Sequence, residues 1–133
     1  MTTQQAVMTT QVIANRLHEL CNQGKYQEAQ EELYSDDAMS VEPPHSQGFQ
    51  SVKGRDEIVK KGEQFRDMIE EVHGASASEP IVAGDQIAMG ITIDATLKGM
   101  GRQLMEEIAV YEVKDGKVVK EQFFYNPSPS PSL

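Results

Sequence analysis

A carboxylate followed at once by two prolines closes a short apolar run, Glu42 in "AMSVEPP". A following proline restricts Glu42 to an extended backbone, so its side chain is aimed either back onto the loop amides or into a cavity. Further acids sit inside stretches of β-forming residues: Asp94 in "QIAMGITIDATL", Glu107 in "RQLMEEIAVYEV", and Glu121 in "KVVKEQFFYN" beside Phe123 and Tyr125. Carboxyl groups held in an apolar cavity have raised pKa values, because burial and neighbouring like charge both disfavour ionisation. Such groups can give or take protons near neutral pH. Glu42, Asp94 and Glu107 are therefore the candidate proton-transfer groups. Met105, Glu121, Phe123, Tyr125 and, at the rim, His73 are candidate ligand contacts. Each also has a plainer reading, as a loop cap, a core residue, or a surface ion pair with Arg102, Lys117 or Lys120. His18 and Cys21, spaced i, i+3, could supply half a metal site. No second pair of ligands accompanies them and zinc takes four, so neither metal nor cofactor is expected and Cys21 reads as a buried thiol.

The elements that must hold these residues follow from hydrophobic period. Ile13, Leu17, Leu20 and Cys21 make a helical stripe from about Thr10 to Gln23, with Thr9 or Thr10 as cap and Gly24 as stop. Tyr26, Ala29 and Leu33 mark a short second helix, which "SDD" at 35–37 should break. "AMSVEP" reads as a short strand and residues 43–54 as a loop. A third helix begins near Arg55, its stripe running through Ile58, Gly62, Phe65, Ile69 and Val72. Gly62 inside it costs about 1 kcal/mol against alanine, which points to something packed closely there. From about residue 72 the pattern turns to strands: "HGASASEPIVAG", "QIAMGITIDATL", "RQLMEEIAVYEV" and "KVVKEQFFYN". Asp115-Gly116 is a strong hairpin signal and "KGMG" at 98–101 a second tight turn. Helices first and strands second mean an α+β fold, three helices packed on a curved antiparallel sheet. Residues 1–126 read as one domain and 127–133 as a flexible Pro/Ser tail.

"LYSDDAMSVEP", "GRDEI" at the head of the third helix and "EEIAVYEVKDGKVVKEQFFY" together resemble the NTF2-like superfamily in its SnoaL-like branch, over about residues 8–126. The resemblance implies a cystatin-like α+β cone with a pocket between sheet and helices, frequent homodimers through the outer sheet face, and a bacterial protein. Ketosteroid isomerases of this superfamily carry a general-base carboxylate just before a proline on the first strand, the position of Glu42-Pro43. Their oxyanion-hole tyrosine and acid fall at Leu17 and Ala109, which have no side-chain donor. With a three-residue loop pairing Val113 with Lys117, one hairpin face holds Met105, Glu107, Ala109, Tyr111, Val119, Glu121, Phe123 and Tyr125. Because Ala109 matches a pocket position, this set is expected to face inward. Leu104, Glu106, Ile108, Val110, Val118, Lys120, Gln122 and Phe124 are then expected outside. Ungapped pairing across the 98–101 turn puts Asp94 on the pocket side.

Bulk properties narrow the classes of function. A net charge of −9 repels phosphate backbones, and Lys60-Lys61 is the only basic cluster, so no nucleic acid is expected. No apolar run approaches the ~20 residues that span a bilayer, and "MTTQQAVMTTQ" lacks the basic start of a secretory signal. A single cysteine fits a reducing cytoplasm. The expected protein is a cytoplasmic homodimer that binds a small, partly apolar molecule. It either performs acid–base chemistry of the isomerase, cyclase or dehydratase type, or is a non-catalytic ligand-binding or dimerisation domain.

Overall fold

The computed structural model describes residues 3–46 and 48–127, with side chains from Thr9 onward. Except for Pro127, the expected Pro/Ser tail lies outside the described residues. In chain order the elements are α1 (Thr3–Asn22), α2 (Tyr26–Leu33), β1 (Tyr34–Val41), β2 (Val52–Lys53), α3 (Arg55–Asp67), β3 (Ile69–Ala77), β4 (Ile81–Ala83), β5 (Gln86–Leu97), β6 (Gly101–Lys114) and β7 (Lys117–Phe124). The strands form one sheet in the order β2-β1-β7-β6-β5-β3, with β4 also on β5. The class is α+β as expected: three helices cover one face of a curved sheet.

The sheet is mixed rather than purely antiparallel. β1 runs parallel to β7, with Ser40 opposite Glu121 and Val41 opposite Gln122. The long helical excursion between these strands permits the parallel pair, which no hairpin could make. β1 also starts earlier than expected and absorbs "SDD". Tyr34 and Ala38 are buried, while Asp36 and Asp37 between them stay exposed in a shift of register against β7. Two buried anchors thus carry the polar residues through the strand. α3 ends at Asp67, so Ile69 and Val72 are strand residues, with Ile69 opposite Leu97 and Val72 opposite Ala95. "HGASASEPIVAG" is two strands, broken around Pro80, where a ladder N–H is missing. Gly62 is not wedged against a neighbour. A Cβ there would meet Arg66 Nη1 at 3.6 Å and Gln30 Oε1 at 3.8 Å, both ordinary contacts.

The β6–β7 turn decides which side chains face the helices. Asp115 (φ 52°) and Gly116 (φ 76°) form a two-residue loop that pairs Lys114 with Lys117 and Val113 with Val118. Positive φ at both positions gives the turn whose twist suits a hairpin. The expected three-residue loop is therefore not formed. A bulge at Val119 follows, since Glu112 pairs with Lys120 and Tyr111 with Glu121. That extra residue restores the expected parity beyond it and swaps the two valines before it, so Val118, expected outside, is fully buried. The core is built from Leu17, Leu20, Ile58, Ile87, Met89, Tyr111 and Val118, among others, between the helices and the inner sheet face.

Candidate functional site

The floor of the site is laid in rungs by β1, β7 and β6. Ser40, Glu121 and Tyr111 share one rung, through Ser40 opposite Glu121 and Tyr111 opposite Glu121. Ala109 opposite Phe123 makes the next. Continuing the alternation brings Glu107, Tyr125 and Glu42 to the open end of the same face. Five acids and aromatics expected to face inward, Glu107, Glu121, Phe123, Tyr125 and Glu42, are therefore on one side. Met105, opposite Ile93, extends that side.

Lys61 of α3 reaches down to this floor. Its Nζ donates to Glu42 Oε2 at 2.7 Å, to Ser40 Oγ at 2.7 Å and to the Gln50 carbonyl at 3.3 Å. It also lies 5.8 Å from the centre of the Phe123 ring. The Tyr125 hydroxyl donates to the other Glu42 oxygen, Oε1, at 2.7 Å. Both oxygens of Glu42 are thus occupied, and the side chains of Lys61 and Glu42 keep only 11% and 8% exposure. The loop after Glu42 is pinned to the same tyrosine: His45 Nε2 lies 2.9 Å from the Tyr125 carbonyl oxygen, and Ser46 Oγ 3.1 Å from its hydroxyl. Burial, with Glu42 beside it, pushes the Tyr125 hydroxyl up to about 12, so it stays a donor at neutral pH.

The other two acids differ in their surroundings. Glu121 is buried and accepts from Tyr34 and Ser40. Burial raises its pKa, and those hydrogen bonds and Lys61 oppose the rise. Among the described residues no hydrogen bond or ion pair reaches the Glu107 carboxyl group. Burial first, then the charges of Glu42 and Glu121, push it up to about 7, with Lys61 pulling the other way. It is a carboxyl group divided between its acid and base forms at neutral pH, facing the interior with free lone pairs. Leu17 and Ala109 are buried at 1% and 0% and offer no donor.

A model of the SnoaL-like domain family matches residues 8–125. The chain belongs to the SnoaL-like domain family. Solved structures agree. A Mesorhizobium loti protein described as a SnoaL-like polyketide cyclase or carbohydrate phosphatase is 35% identical over 85% of this chain and 96% of its own, with a TM-score of 0.77. A Xanthomonas campestris protein of unknown function with a cystatin-like fold is 16% identical over 86% of this chain and 88% of its own, at a TM-score of 0.70. An NTF2-like protein of unknown function from Burkholderia pseudomallei is 14% identical over 90% and 92%, at 0.73. These last two support the fold alone. No curated protein matches the chain.

Within this SnoaL-like cone, two candidates lie apart from the others. Asp94 pairs with Leu104 and so faces the opposite side from Glu107, correcting its expected place in the pocket. The expected register is off by one: the turn takes three residues, 98–100, so Leu97 pairs with Gly101 rather than Arg102, and the inner set takes Ile91, Ile93 and Ala95 of β5. Asp94 is gripped there by Arg102, whose Nε and Nη2 donate at 3.0 and 2.9 Å, and this guanidinium holds the carboxyl below its usual range. His73 is the bulge residue between Val72 and Gly74 of β3 and shares that outer region, with Nε2 2.7 Å from Thr96 Oγ1. His18 is spent on the Ala77 carbonyl at 3.1 Å, and burial beside Glu121 pushes the Cys21 thiol up to about 12. Among the described residues no three His, Cys, Asp or Glu side chains are grouped to hold a metal ion.

Sequence reasoning missed two members of this face. Lys61 lies three residues after Ile58 and four before Phe65, on the buried side of α3, and that spacing was its signal. Tyr26 was read only as packing on α2, yet its hydroxyl is buried without a partner. Tyr26 also walls a cleft of about 280 Å³ between the start of α2, the end of α3 and strands β3 and β5, together with Phe65, Ile69, Val72 and Ile93. A groove of about 380 Å³ over Glu31, Arg55 and Glu63 runs along α2 and α3 and includes none of the candidate residues.

Proposed function

We propose that the cone binds a small, partly apolar molecule and moves a proton on it, with Glu107 as the carrier. The observation that carries this reading is a Glu107 carboxyl group with no partner among the described residues, on the same sheet face as the paired Lys61–Glu42–Tyr125 cluster, with its pKa raised to about 7 by burial. Glu107 takes the base role in preference to Glu42, because Lys61 and Tyr125 occupy both Glu42 oxygens. Glu42 then holds Lys61 and Tyr125 in place along the wall of the site. The kinship with the Mesorhizobium loti protein assigned to the polyketide cyclases supports isomerase- or cyclase-type chemistry. The test is exchange of α-hydrogens in D₂O across a panel of small ketones and esters, followed by NMR. The wild type should catalyse exchange on at least one class, and Glu107→Gln should slow it by about 10²–10⁴-fold. Equal rates in the two proteins would refute the assignment.

The assembly we propose is a homodimer through the outer sheet face, without nucleic acid. Leu104, Ile108 and Phe124 are 64%, 50% and 49% exposed on that face, and an apolar sheet face needs cover. Light scattering giving a monomer at micromolar concentration and above would overturn it. No helix among the described residues is long and apolar enough to cross a membrane. The single, buried thiol supports the cytoplasm as the location.

A further inference from the structure

Three of the four arginines are matched to carboxylates: Arg16 to Glu19 and Glu32, Arg55 to Asp36, and Arg102 to Asp94. Arg66, in the last turn of α3, is not. Among the described residues its guanidinium makes one hydrogen bond, from Nη2 to the Gln27 amide oxygen, and no ion pair. A neutral amide steadies the guanidinium without neutralising it, and the remaining N–H groups keep the planar fork that takes a carboxylate. Lys25, just before α2, is likewise without an ion pair among the described residues. Both cations line the 280 Å³ cleft, with Glu28 as the one acid of its lining. Two positive charges against one negative reverse the balance of a chain whose net charge is −9.

The rest of the lining is mainly apolar and includes Phe65, Ile69, Val72 and Ile93. Val72 is 56% exposed, so water lies against apolar surface that a hydrocarbon body would cover to advantage. Apolar walls beside unneutralised cations suit a molecule with a hydrocarbon body and one negative end. The volume is at the small end of ligand sites, so that body is short. The floor of the cone has the opposite sign: Glu42, Glu107 and Glu121 outnumber the one ammonium, Lys61. An anion is therefore favoured at the cleft and disfavoured on the floor. We infer that the cleft binds a small apolar monocarboxylate, with the carboxylate on Arg66 and Lys25 and the hydrocarbon body against Phe65, Ile69, Val72 and Ile93. The site stands beside the proton-transfer reading and needs neither Glu107 nor its protonation state.

The test is a ligand-observed NMR titration of the full chain with octanoate, octan-1-ol and octylammonium, which share one chain length. The wild type should bind octanoate about fivefold more tightly than the alcohol, the worth of one solvent-exposed ion pair, and octylammonium most weakly. The preference should shrink at high salt. Shortening octanoate to hexanoate should weaken binding by about two- to fourfold per methylene. Arg66→Gln combined with Lys25→Gln should bind acid and alcohol alike, and since both side chains are exposed the fold should survive. Val72→Glu, which sets an acid on the apolar wall, should lose octanoate. Glu107→Gln should bind octanoate as the wild type does even where α-hydrogen exchange is lost, so the two readings fail separately. Absence of octanoate binding by the wild type at millimolar concentration would overturn the inference. So would a preference for acid over alcohol that survives the double variant, or loss of octanoate in Glu107→Gln.

Discussion

Glu107 and Asp94 sit on neighbouring strands of one sheet and have opposite characters. Glu107 faces the helices, has no partner among the described residues, and titrates near 7. Asp94 faces outward with Leu104, is held by both sides of the Arg102 fork, and titrates below the usual carboxylate range. The chemistry of the side chain is nearly the same. What differs is strand parity, which sends alternate residues to opposite faces. On the inner face an acid loses hydration and meets other acids. On the outer face it keeps water and meets a guanidinium. A candidate proton carrier is thus made by its position in the pleat.

The sharpest break of this comparison is to remove one cation from each face. Lys61→Met should leave Glu42 buried with an uncompensated charge and cost about 3–5 kcal/mol in urea unfolding. Arg102→Met should change the midpoint little, because its ion pair is open to solvent. Equal losses would mean that the faces are not electrostatically distinct. Apolar truncation gives the next effect. Ile91→Ala, at a residue 4% exposed, should cost about 2–5 kcal/mol. Leu104→Ala should fall within about 0.5 kcal/mol below the concentration at which chains associate. A large loss at Leu104 in the monomer would show that the outer face packs on something within the chain.

The pH dependence divides the two acids further. Glu107 has a raised folded-state pKa, so it contributes stability that is fully present below its ordinary value of 4.5 and is lost as pH rises through about 7. Glu107→Gln should therefore match the wild type at pH 4 and exceed it above pH 8 by roughly 3 kcal/mol at most. Asp94 has the opposite sign. Its depressed pKa contributes stability above the ordinary value of 3.8 that is lost as pH falls through the folded-state value. Asp94→Asn should accordingly match the wild type at the acid end and fall slightly below it above the ordinary value of 3.8, by less than any inner-face change. Denaturation midpoints across pH 3–9 check both signs together.

Much of this contrast was legible in the sequence. β5 was bounded correctly because turn residues flank an unbroken β-forming run, and the β6–β7 hairpin was announced by Asp115-Gly116. The inner set of β6 came out right even though the turn has two residues rather than three, because the bulge at Val119 restores the alternation. Bulges leave little trace in composition, so the burial of Val118 was not readable. The parallel pairing of β1 with β7 joins residues some eighty positions apart, beyond any local pattern. Asp94 was misplaced because the turn after Leu97 is one residue shorter than the four of "KGMG", and a one-residue slip sends every side chain of the strand to the other face. Lys61 was masked by its neighbour Lys60, since a basic pair reads as surface charge. Tyr26 was hidden by its ring, which packs like any aromatic residue while its hydroxyl goes unpaired.

The most direct test of the account is an NMR titration of the Glu107 side-chain carboxyl carbon, assigned by comparison with Glu107→Gln. The account predicts a midpoint near 7, moving higher in Lys61→Met because Lys61 is the charge that lowers it. A midpoint near 4.5, the ordinary glutamate value, would contradict it, since neither burial nor the neighbouring acids would then be acting on Glu107.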